Sequence, residues 1–265
     1  MEEVYRLERV SCFYGEVAAL KDIDLNVLRG ESISVLGANG AGKSTLLKLL
    51  DGLIFPSSGR VMFFGMSLGD AVNLKALRER VGFVFSEPDV QLFSPTVFDE
   101  VAFGPLQIGL SGKEVVKRVE DTLTFLGLSH LKERPPYTLS TGEKKKVAIG
   151  SVLSINPEVL LLDEPTTGLD PKTQVWLIEV LAELKKIGKT CIIATHDLSL
   201  AADLSDRVVI LGESHTIASV GSAEHILGNK ELLLGANLIH EHAHRHGEII
   251  HRHSHGPFSI HDEHE

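Results

Sequence analysis

An α/β fold built on a mostly parallel sheet is predicted by three observations in this sequence. Apolar runs of strand length alternate with segments of helical spacing along most of the chain. A glycine-rich loop at 37–44 follows one such strand and leads directly into a helix. Another apolar run, Val159–Leu162, ends in two acids. Strands that alternate with helices pair in parallel and are covered by those helices.

The individual elements follow from the same patterns, taken in chain order. Short strands precede the glycine loop, a longer block of helical spacing fills the middle of the chain, and strands and helices then alternate again. The predicted elements are strands at 5–10, 19–27 and 32–36, a helix from about 43 to 53, a helical block at about 87–153 with a helix at 113–126, and strands through Leu160, Ile192 and Val209.

Composition limits the classes of function. The 265 residues suffice for a sizeable core, and the net charge of −10 argues against a broad nucleic-acid surface, so we expect no nucleic-acid partner. Cys12 and Cys191 are too few for a disulfide framework and fit a reducing compartment. No apolar run approaches the roughly 20 residues of a membrane-spanning helix, and no signal peptide is evident. We therefore expect a soluble, cytosolic protein.

The C-terminal segment differs from the rest of the chain. Nine of the thirteen histidines fall between His240 and His264, which predicts a domain at 1–235 and a flexible, disordered tail at 236–265. Imidazoles at alternate positions of a flexible chain can gather around Ni²⁺, Co²⁺, Zn²⁺ or Cu²⁺. A solvated polar tail and a pH-responsive switch are the alternatives. The candidate ligands are His240, His242, His244, His246, His251, His253 and His255.

The glycine loop is typical of a phosphate site. Its glycines let successive N–H groups converge on phosphates, and the following helix adds a positive dipole end. By the mechanics of such loops, Lys43 binds the β- and γ-phosphates, the Ser44 hydroxyl binds Mg²⁺, and Thr45 meets another phosphate oxygen. The loop comprises Gly37, Ala38, Asn39, Gly40, Ala41, Gly42, Lys43 and Ser44.

The acids after the apolar run complete this chemistry. A strand that opens directly into Asp-Glu-Pro-Thr puts Asp163 beside the loop, where it would hold Mg²⁺ through water. Glu164 is then free to orient or deprotonate the attacking water. A solvated turn is the simpler alternative for two adjacent carboxylates.

The order of three elements carries a family resemblance. Leu139-Ser140-Thr141-Gly142-Glu143 stands twenty residues before Val159–Glu164, and both follow the glycine loop. In this order the elements resemble an ATP-binding cassette (ABC) ATPase, over about residues 4–225. The resemblance implies a P-loop NTPase fold with an antiparallel β-subdomain and an inserted α-helical subdomain at about 87–153. It also implies ATP and Mg²⁺ as cofactors and an ATPase dimer of identical or different chains.

The resemblance also assigns roles to single residues. Leu139 to Glu143 match the signature that caps the ATP of a partner subunit, through Ser140 and the Gly142 N–H. His196 matches the switch histidine at the γ-phosphate, and Asp170 matches the loop that crosses the dimer interface. Tyr14 matches the aromatic that stacks on adenine, with its neighbour Phe13 as the competing candidate.

One position departs from the family pattern. The glutamine expected after Val84-Phe85, which reaches Mg²⁺ and the attacking water, is replaced by Ser86. The Ser86 hydroxyl can still bind the metal directly or through water, and Glu87 and Gln91 are less favoured substitutes. We expect slower hydrolysis than a glutamine would support.

The stretch from Pro88 to Pro105 resembles energy-coupling-factor importer ATPases, which power uptake of vitamins or of cobalt and nickel ions. This implies a transmembrane coupling subunit, a substrate-binding membrane subunit and a location at the cytoplasmic face of the membrane. The histidine-rich tail favours the cobalt or nickel subgroup over vitamins. A soluble non-transport ABC protein and a metal-storage protein with a vestigial cassette are weaker alternatives. Groove surface would come from Phe93, Val97, Phe98, Val101 and Phe103, for which core packing is the alternative.

Overall fold

The computed structural model describes residues 2–69, 71–239, 241–246 and 249–254. Its strands are β1 (Glu3–Tyr14), β2 (Val17–Leu28), β3 (Ser32–Leu36), β4 (Ser58–Phe63), β5 (Met66–Ser67), β6 (Val81–Val84), β7 (Val159–Asp163), β8 (Thr190–Thr195), β9 (Arg207–Leu211), β10 (Ile217–Ser222), β11 (Glu241–His246) and β12 (Ile249–Ser254). Its helices are α1 (Lys43–Leu50), α2 (Ala71–Arg80), α3 (Pro88–Gln91), α4 (Val97–Gln107), α5 (Gly112–Phe125), α6 (Thr141–Leu153), α7 (Pro171–Lys186), α8 (Leu198–Leu204), α9 (Ala223–Leu227) and α10 (Lys230–Gly235).

Two sheets form the body of the molecule. The larger has the order β10-β9-β3-β8-β7-β6, and all of its pairings are parallel except that of β10 with β9. The smaller sheet, β2-β1-β4-β5, is antiparallel. Strands β3, β7 and β8 are buried at every position, as expected of central parallel strands covered on both faces. The predicted α/β fold with an antiparallel β-subdomain is confirmed.

The helix after the glycine loop is shorter than predicted. It ends at Leu50 and not at residue 53, because Asp51 caps it with a hydrogen bond to Leu47 O. Gly52 follows in the left-handed region, with φ of +68°, where a residue with a side chain is disfavoured. The chain therefore turns away directly after the cap.

A helical insertion separates two neighbouring strands of the larger sheet. Helices α3 to α6 and two 3₁₀ helices, Ser129–Leu131 and Pro136–Thr138, lie between β6 and β7 in the chain. Apolar side chains of α4, α5 and α6 pack with one face of the sheet in a shared cluster. The strands on either side of the insertion are adjacent and parallel, so the insertion leaves the sheet at the carboxyl end of β6 and returns to it at the amino end of β7.

The C-terminal region differs from the sequence prediction in two ways. Ala236 and Ile239 are buried against β9, α8 and α9, so the packed domain continues past the predicted boundary at 235 because these apolar residues extend its core. The segment predicted to be a disordered tail contains an antiparallel hairpin of β11 and β12. Its alternating sequence has the period of two that suits a strand.

Candidate ATP site and signature helix

The parallel register brings the predicted site residues to one edge of the larger sheet. Leu36, the last residue of β3, pairs with Thr195 of β8, and Asp163 of β7 pairs with Ala194. The glycine loop, the two acids and His196 therefore all leave the sheet at the carboxyl ends of neighbouring strands. Ligands bind at this edge in open α/β sheets.

Two glycines of the glycine loop, Gly37 and Gly42, have no room for a side chain. Gly42 has φ of +105°, and a Cβ there would lie 2.3 Å from Ala19 O. A Cβ on Gly37 would lie 2.6 Å from Leu211 O. The backbone thus approaches as closely as a phosphate-binding loop requires, directly before the N-terminus of α1.

Lys43, Ser44 and Asp163 form a compact polar cluster under this loop. The Lys43 ammonium is buried and donates to Gly37 O at 2.8 Å. The Ser44 hydroxyl donates to Asp163 Oδ1 at 3.0 Å. Burial raises the pKa of Asp163 above its usual range, and the hydrogen bond from Ser44 opposes that shift. A hydroxyl beside a carboxylate is the oxygen set that Mg²⁺ prefers, so these residues fit the metal of a nucleotide site.

Glu164 occupies the centre of the cluster. Its backbone lies in the left-handed region, with φ of +43°, and its N–H donates to Ala194 O at 2.8 Å. Its carboxylate lies 3.3 Å from the Lys43 ammonium and 2.9 Å from His196 Nδ1. A strained conformation at a non-glycine residue costs on the order of 1–3 kcal/mol and is characteristic of functional sites. The structure therefore brings both predicted catalytic residues together.

The signature residues begin helix α6. Ser140 is the N-cap, and its hydroxyl donates to the Glu143 carboxylate at 2.7 Å. This bond and the one from the Ser140 N–H lower the pKa of Glu143. Leu139 is buried and anchors the start of the helix, which continues through Thr141 and Gly142.

Asp170 lies next to the signature in the same chain. It caps α7 by accepting hydrogen bonds from the N–H and the hydroxyl of Thr173, which lower its pKa. A Cβ on Gly142 would lie 3.1 Å from Thr173 Oγ1 and 3.6 Å from Asp170 Oδ2. The structure thus brings together two motifs that the sequence separates by almost thirty residues.

The loop that carries Ser86 is tied to α6 by contacts that the sequence did not reveal. Gln91 accepts from the Phe85 N–H at 3.2 Å and donates to Ala148 O at 2.8 Å, so its amide is engaged and it is not a substitute for the missing glutamine. Lys145 donates to Phe85 O at 3.1 Å and to Ser86 O at 2.6 Å. Burial lowers the pKa of Lys145 to about 8, against the effect of the Asp163 carboxylate.

The two candidate adenine-stacking residues are both exposed. Phe13 is 43% and Tyr14 is 52% exposed, at the end of β1 where the chain turns at Gly15. Glu87, the other candidate to replace the glutamine, is exposed at the N-cap of α3.

The predicted groove residues divide into two groups. Val97 and Val101 are fully buried in the core of the helical insertion, and Phe98 packs against the same core. The prediction that the two valines supply groove surface is wrong, because they face the core side of α4. Phe93 and Phe103 are exposed and contact each other edge to face, with ring centroids 5.0 Å apart.

A comparison with protein-family models assigns the chain to a family. Residues 20–167, which include the glycine loop, the signature and both acids, match the family model described as ABC transporter. The chain belongs to this family. It is an ATP-binding component of an ABC transporter, one of the ATPases that drive transport, and it binds ATP as this family does. The sequence prediction of an ATPase is confirmed.

Two relatives show how the similarity extends along the chain. An ABC transporter ATP-binding protein of Caldanaerobacter subterraneus is 54% identical over 242 residues, covering 90% of this chain and 100% of the relative. The nickel import ATP-binding protein NikO of Rhodobacter capsulatus is 46% identical over 247 residues, covering 90% and 97%.

Two solved structures are similar in fold and sequence. The structure of cbiO1 from Clostridium perfringens, part of the ABC transporter complex cbiONQ, has a TM-score of 0.78 and 38% identity, covering 90% of this chain and 96% of that chain. The dimeric cassette MJ0796, in a post-hydrolysis state with ADP and Pi, has a TM-score of 0.75 and 30% identity, covering 83% and 98%.

Two further observations concern the membrane and the tail. Within the described residues, no helix combines the length and the apolar composition of a membrane span. Of the predicted tail ligands, His240 and His255 lie outside the described residues. His242, His244 and His246 belong to β11, and His251 and His253 belong to β12.

Proposed function

We propose that this chain is the ATP-hydrolysing subunit of a membrane importer for a divalent transition metal, nickel or cobalt. The observation that carries the proposal is the similarity, along nine-tenths of the chain, to a protein named for nickel import. The fold similarity to cbiO1 supports the same type of complex. The chain would act at the cytoplasmic face of the membrane, bound to a transmembrane coupling subunit and a substrate-binding membrane subunit.

ATP would act by joining two such ATPase subunits. The Lys43, Asp163 and Glu164 cluster supplies one side of a nucleotide site, and the Ser140 cap of a partner chain supplies the other. The similarity to a dimeric cassette in a post-hydrolysis state supports this arrangement. Hydrolysis removes the γ-phosphate contacts that hold the two sides together, so that the dimer reopens.

The membrane subunit would dock where the helical insertion meets the larger sheet. A cleft of about 280 Å³ lies there, lined by Phe85, Gln91, Phe93 and Phe103 among others. Exposed aromatic side chains at the mouth of a cleft suit an amphipathic helix laid into it. Phe85 directly precedes Ser86, and Gln91 accepts a hydrogen bond from the Phe85 N–H, so movement of a docked helix would be passed to the loop that carries Ser86.

The histidine-rich tail would hold the same metal in the cytosol. The hairpin places His242 opposite His253 and His244 opposite His251. Neutral imidazole binds divalent transition metals, and a segment that carries several histidines can supply more than one ligand to an ion. Alternate residues share a face, so these four positions and His246 lie on the same side of the hairpin.

Metal import is tested by elemental analysis of cells grown at limiting metal. The only copy of the gene would carry Glu164→Gln, and the matched control would carry Glu183→Gln, at an exposed glutamate paired with Lys186 on α7. We expect nickel or cobalt to fall selectively in the first strain and to stay unchanged in the second. A fall in zinc alone would contradict the nickel or cobalt assignment. Unchanged metals together with reduced vitamin uptake would replace the proposal with a vitamin-type energy-coupling-factor importer.

The tail is tested by calorimetric titration of the purified full chain with Ni²⁺, Co²⁺ and Zn²⁺. Replacing the opposed pair His244 and His251 by alanine should weaken binding at least tenfold. The control is His130→Ala, at an exposed histidine far from the tail in sequence. Equal affinity in all three proteins would exclude the tail as the binding segment.

A further inference from the structure

Lys145 stands out among the charged side chains of the described residues. It is 1% exposed, yet it carries a cation in the interior between α6 and the loop after β6. Burying an ammonium costs free energy unless its N–H groups find hydrogen-bond acceptors. The acceptors that Lys145 contacts are therefore required for its burial. Those contacts are the carbonyls of Phe85 and Ser86.

The two carbonyls that Lys145 contacts lie next to the proposed nucleotide site. Val84, the last residue of β6, pairs with Leu162 of β7, so Phe85 and Ser86 emerge next to Asp163. Ser86 stands where the family has a glutamine. A serine side chain is short, so the position of its hydroxyl is set by the position of its own backbone. The site can use the Ser86 hydroxyl only if the backbone of the loop is held at the correct place.

The loop is also held at two further points by the same helix. The Lys144 ammonium binds Asp89 at 2.6 Å, and Gln91 links the Phe85 N–H to Ala148 O and to the Ser151 hydroxyl. These bonds orient the loop, but of the three only the Lys145 contact reaches Ser86 itself. Ser140 is the N-cap of α6, so the loop and the signature are linked through one helix.

We propose that Lys145 is a positioning residue that holds Ser86 at the Mg²⁺ end of the nucleotide site and couples that position to the signature helix. The inference rests on the ATP hydrolysis of the family and is independent of the proposed metal cargo. In this chain Ser86, with its backbone held by the buried Lys145 ammonium, would take the place of the family's glutamine, whose longer side chain reaches the metal without such support.

The test is the Mg²⁺ dependence of steady-state ATP hydrolysis by the purified full chain at saturating ATP. The variants are Lys145→Met, which keeps the side-chain volume, Ser86→Ala, and the double variant. We expect each single variant to raise the Mg²⁺ concentration for half-maximal rate at least threefold. The double variant should be within twofold of Ser86→Ala, because two residues that act through one contact are not additive.

The matched control is Lys144→Met, one position earlier on α6. It removes the tether to Asp89 without touching Ser86, so its Mg²⁺ dependence should stay within twofold of the unaltered chain. Three results would overturn the proposal: additive effects of Lys145→Met and Ser86→Ala, no effect of Ser86→Ala, or equal effects of Lys144→Met and Lys145→Met.

A second variant covers the case in which Lys145→Met does not fold. Lys145→Gln removes the charge but keeps an N–H donor for one of the two carbonyls. A folded Lys145→Gln protein should show a raised Mg²⁺ requirement that disappears in the Ser86→Ala background. If the Mg²⁺ dependence of Lys145→Gln were identical to that of the unaltered chain, the proposal would be contradicted, as it would be by the same result for Lys145→Met.

Discussion

Asp163 and Ser140 are both assigned to the proposed ATP site, and their hydrogen bonds span very different distances along the chain. Asp163 accepts from Ser44, which lies 119 residues earlier, and the contact exists only because β3, β8 and β7 are parallel neighbours. Ser140 binds Glu143, three residues later, in a capping box that forms within one helical turn. The half of the proposed site around Asp163 is assembled by the whole fold, and the half around Ser140 is a local, exposed structure.

This difference predicts which half tolerates change. The cluster around Asp163 is buried and its members contact one another, so a substitution there should affect both ATP chemistry and neighbouring residues. The signature cap is exposed and stabilised within one turn. Substitutions there should therefore cost little stability and act on the association of two chains.

The largest expected effect is on turnover, at Glu164. Glu164→Gln removes the carboxylate that we propose to orient or deprotonate the attacking water while keeping the shape of the side chain, so hydrolysis should fall at least about a hundredfold. ATP affinity should stay within a few fold, because Lys43, Ser44 and the glycine loop remain. Turnover and nucleotide binding would be measured on the same preparation, with Glu183→Gln as the control. Turnover above a tenth of the unaltered rate would contradict the assigned role.

The next effect is on nucleotide affinity, at Gly42. In Gly42→Ala the new Cβ would meet Ala19 O at 2.3 Å, and the residue would keep a φ of +105°, so the loop must distort. ATP should bind more than about tenfold more weakly, with a loss of stability on the order of 2 kcal/mol. Equilibrium binding and denaturant unfolding measure the two quantities.

The control for this prediction is Gly188→Ala. Gly188 also has a positive φ, of +80°, but no atom lies within 4 Å of an added Cβ. It should lose about 1 kcal/mol through backbone strain alone and bind ATP normally. If both variants bound ATP equally well, the close approach at Gly42 would not matter for the nucleotide.

The capping boxes at Ser140 and Ser111 allow the signature cap to be tested separately from the cluster around Asp163. Ser140→Ala and Ser111→Ala each remove a cap with a glutamate three residues later, so each should cost about 1 kcal/mol of stability. Only Ser140→Ala should also weaken ATP-dependent dimerisation of the Glu164→Gln protein. Equal dimerisation by both variants would remove Ser140 from the partner's ATP site.

The smallest expected effect is an increase in turnover, at Ser86. Ser86→Gln restores the family residue, and turnover should rise severalfold with a lower Mg²⁺ requirement. The measurement is a Mg²⁺ titration of the ATPase rate. An unchanged rate and unchanged Mg²⁺ dependence would contradict the expectation that Ser86 slows hydrolysis.

The sequence predicted six of the strands and the α/β sheet type because these depend on short patterns, and the assignment of the ATP-site residues remains a prediction from the same kind of pattern. It did not predict Lys145, because a lysine among three consecutive lysines at 144–146 gives no sign of which one is buried. It misassigned Val97 and Val101, since apolar residues at helical spacing look the same on a core face and on a docking face. Composition and period predict different structures for the tail, because a polar, histidine-rich segment favours a flexible chain whereas its period of two suits the hairpin of β11 and β12.

The central claim is that one ATP is held between the glycine loop of one chain and the signature of another. Light scattering of the Glu164→Gln protein, with and without saturating Mg²⁺ and ATP, tests it directly. The account predicts a mass of 28.9 kDa without ATP and twice that, 57.8 kDa, with ATP. It also predicts a return toward 28.9 kDa when Ser140→Ala is added to the same chain. A mass that stays at 28.9 kDa with ATP bound would contradict the shared site.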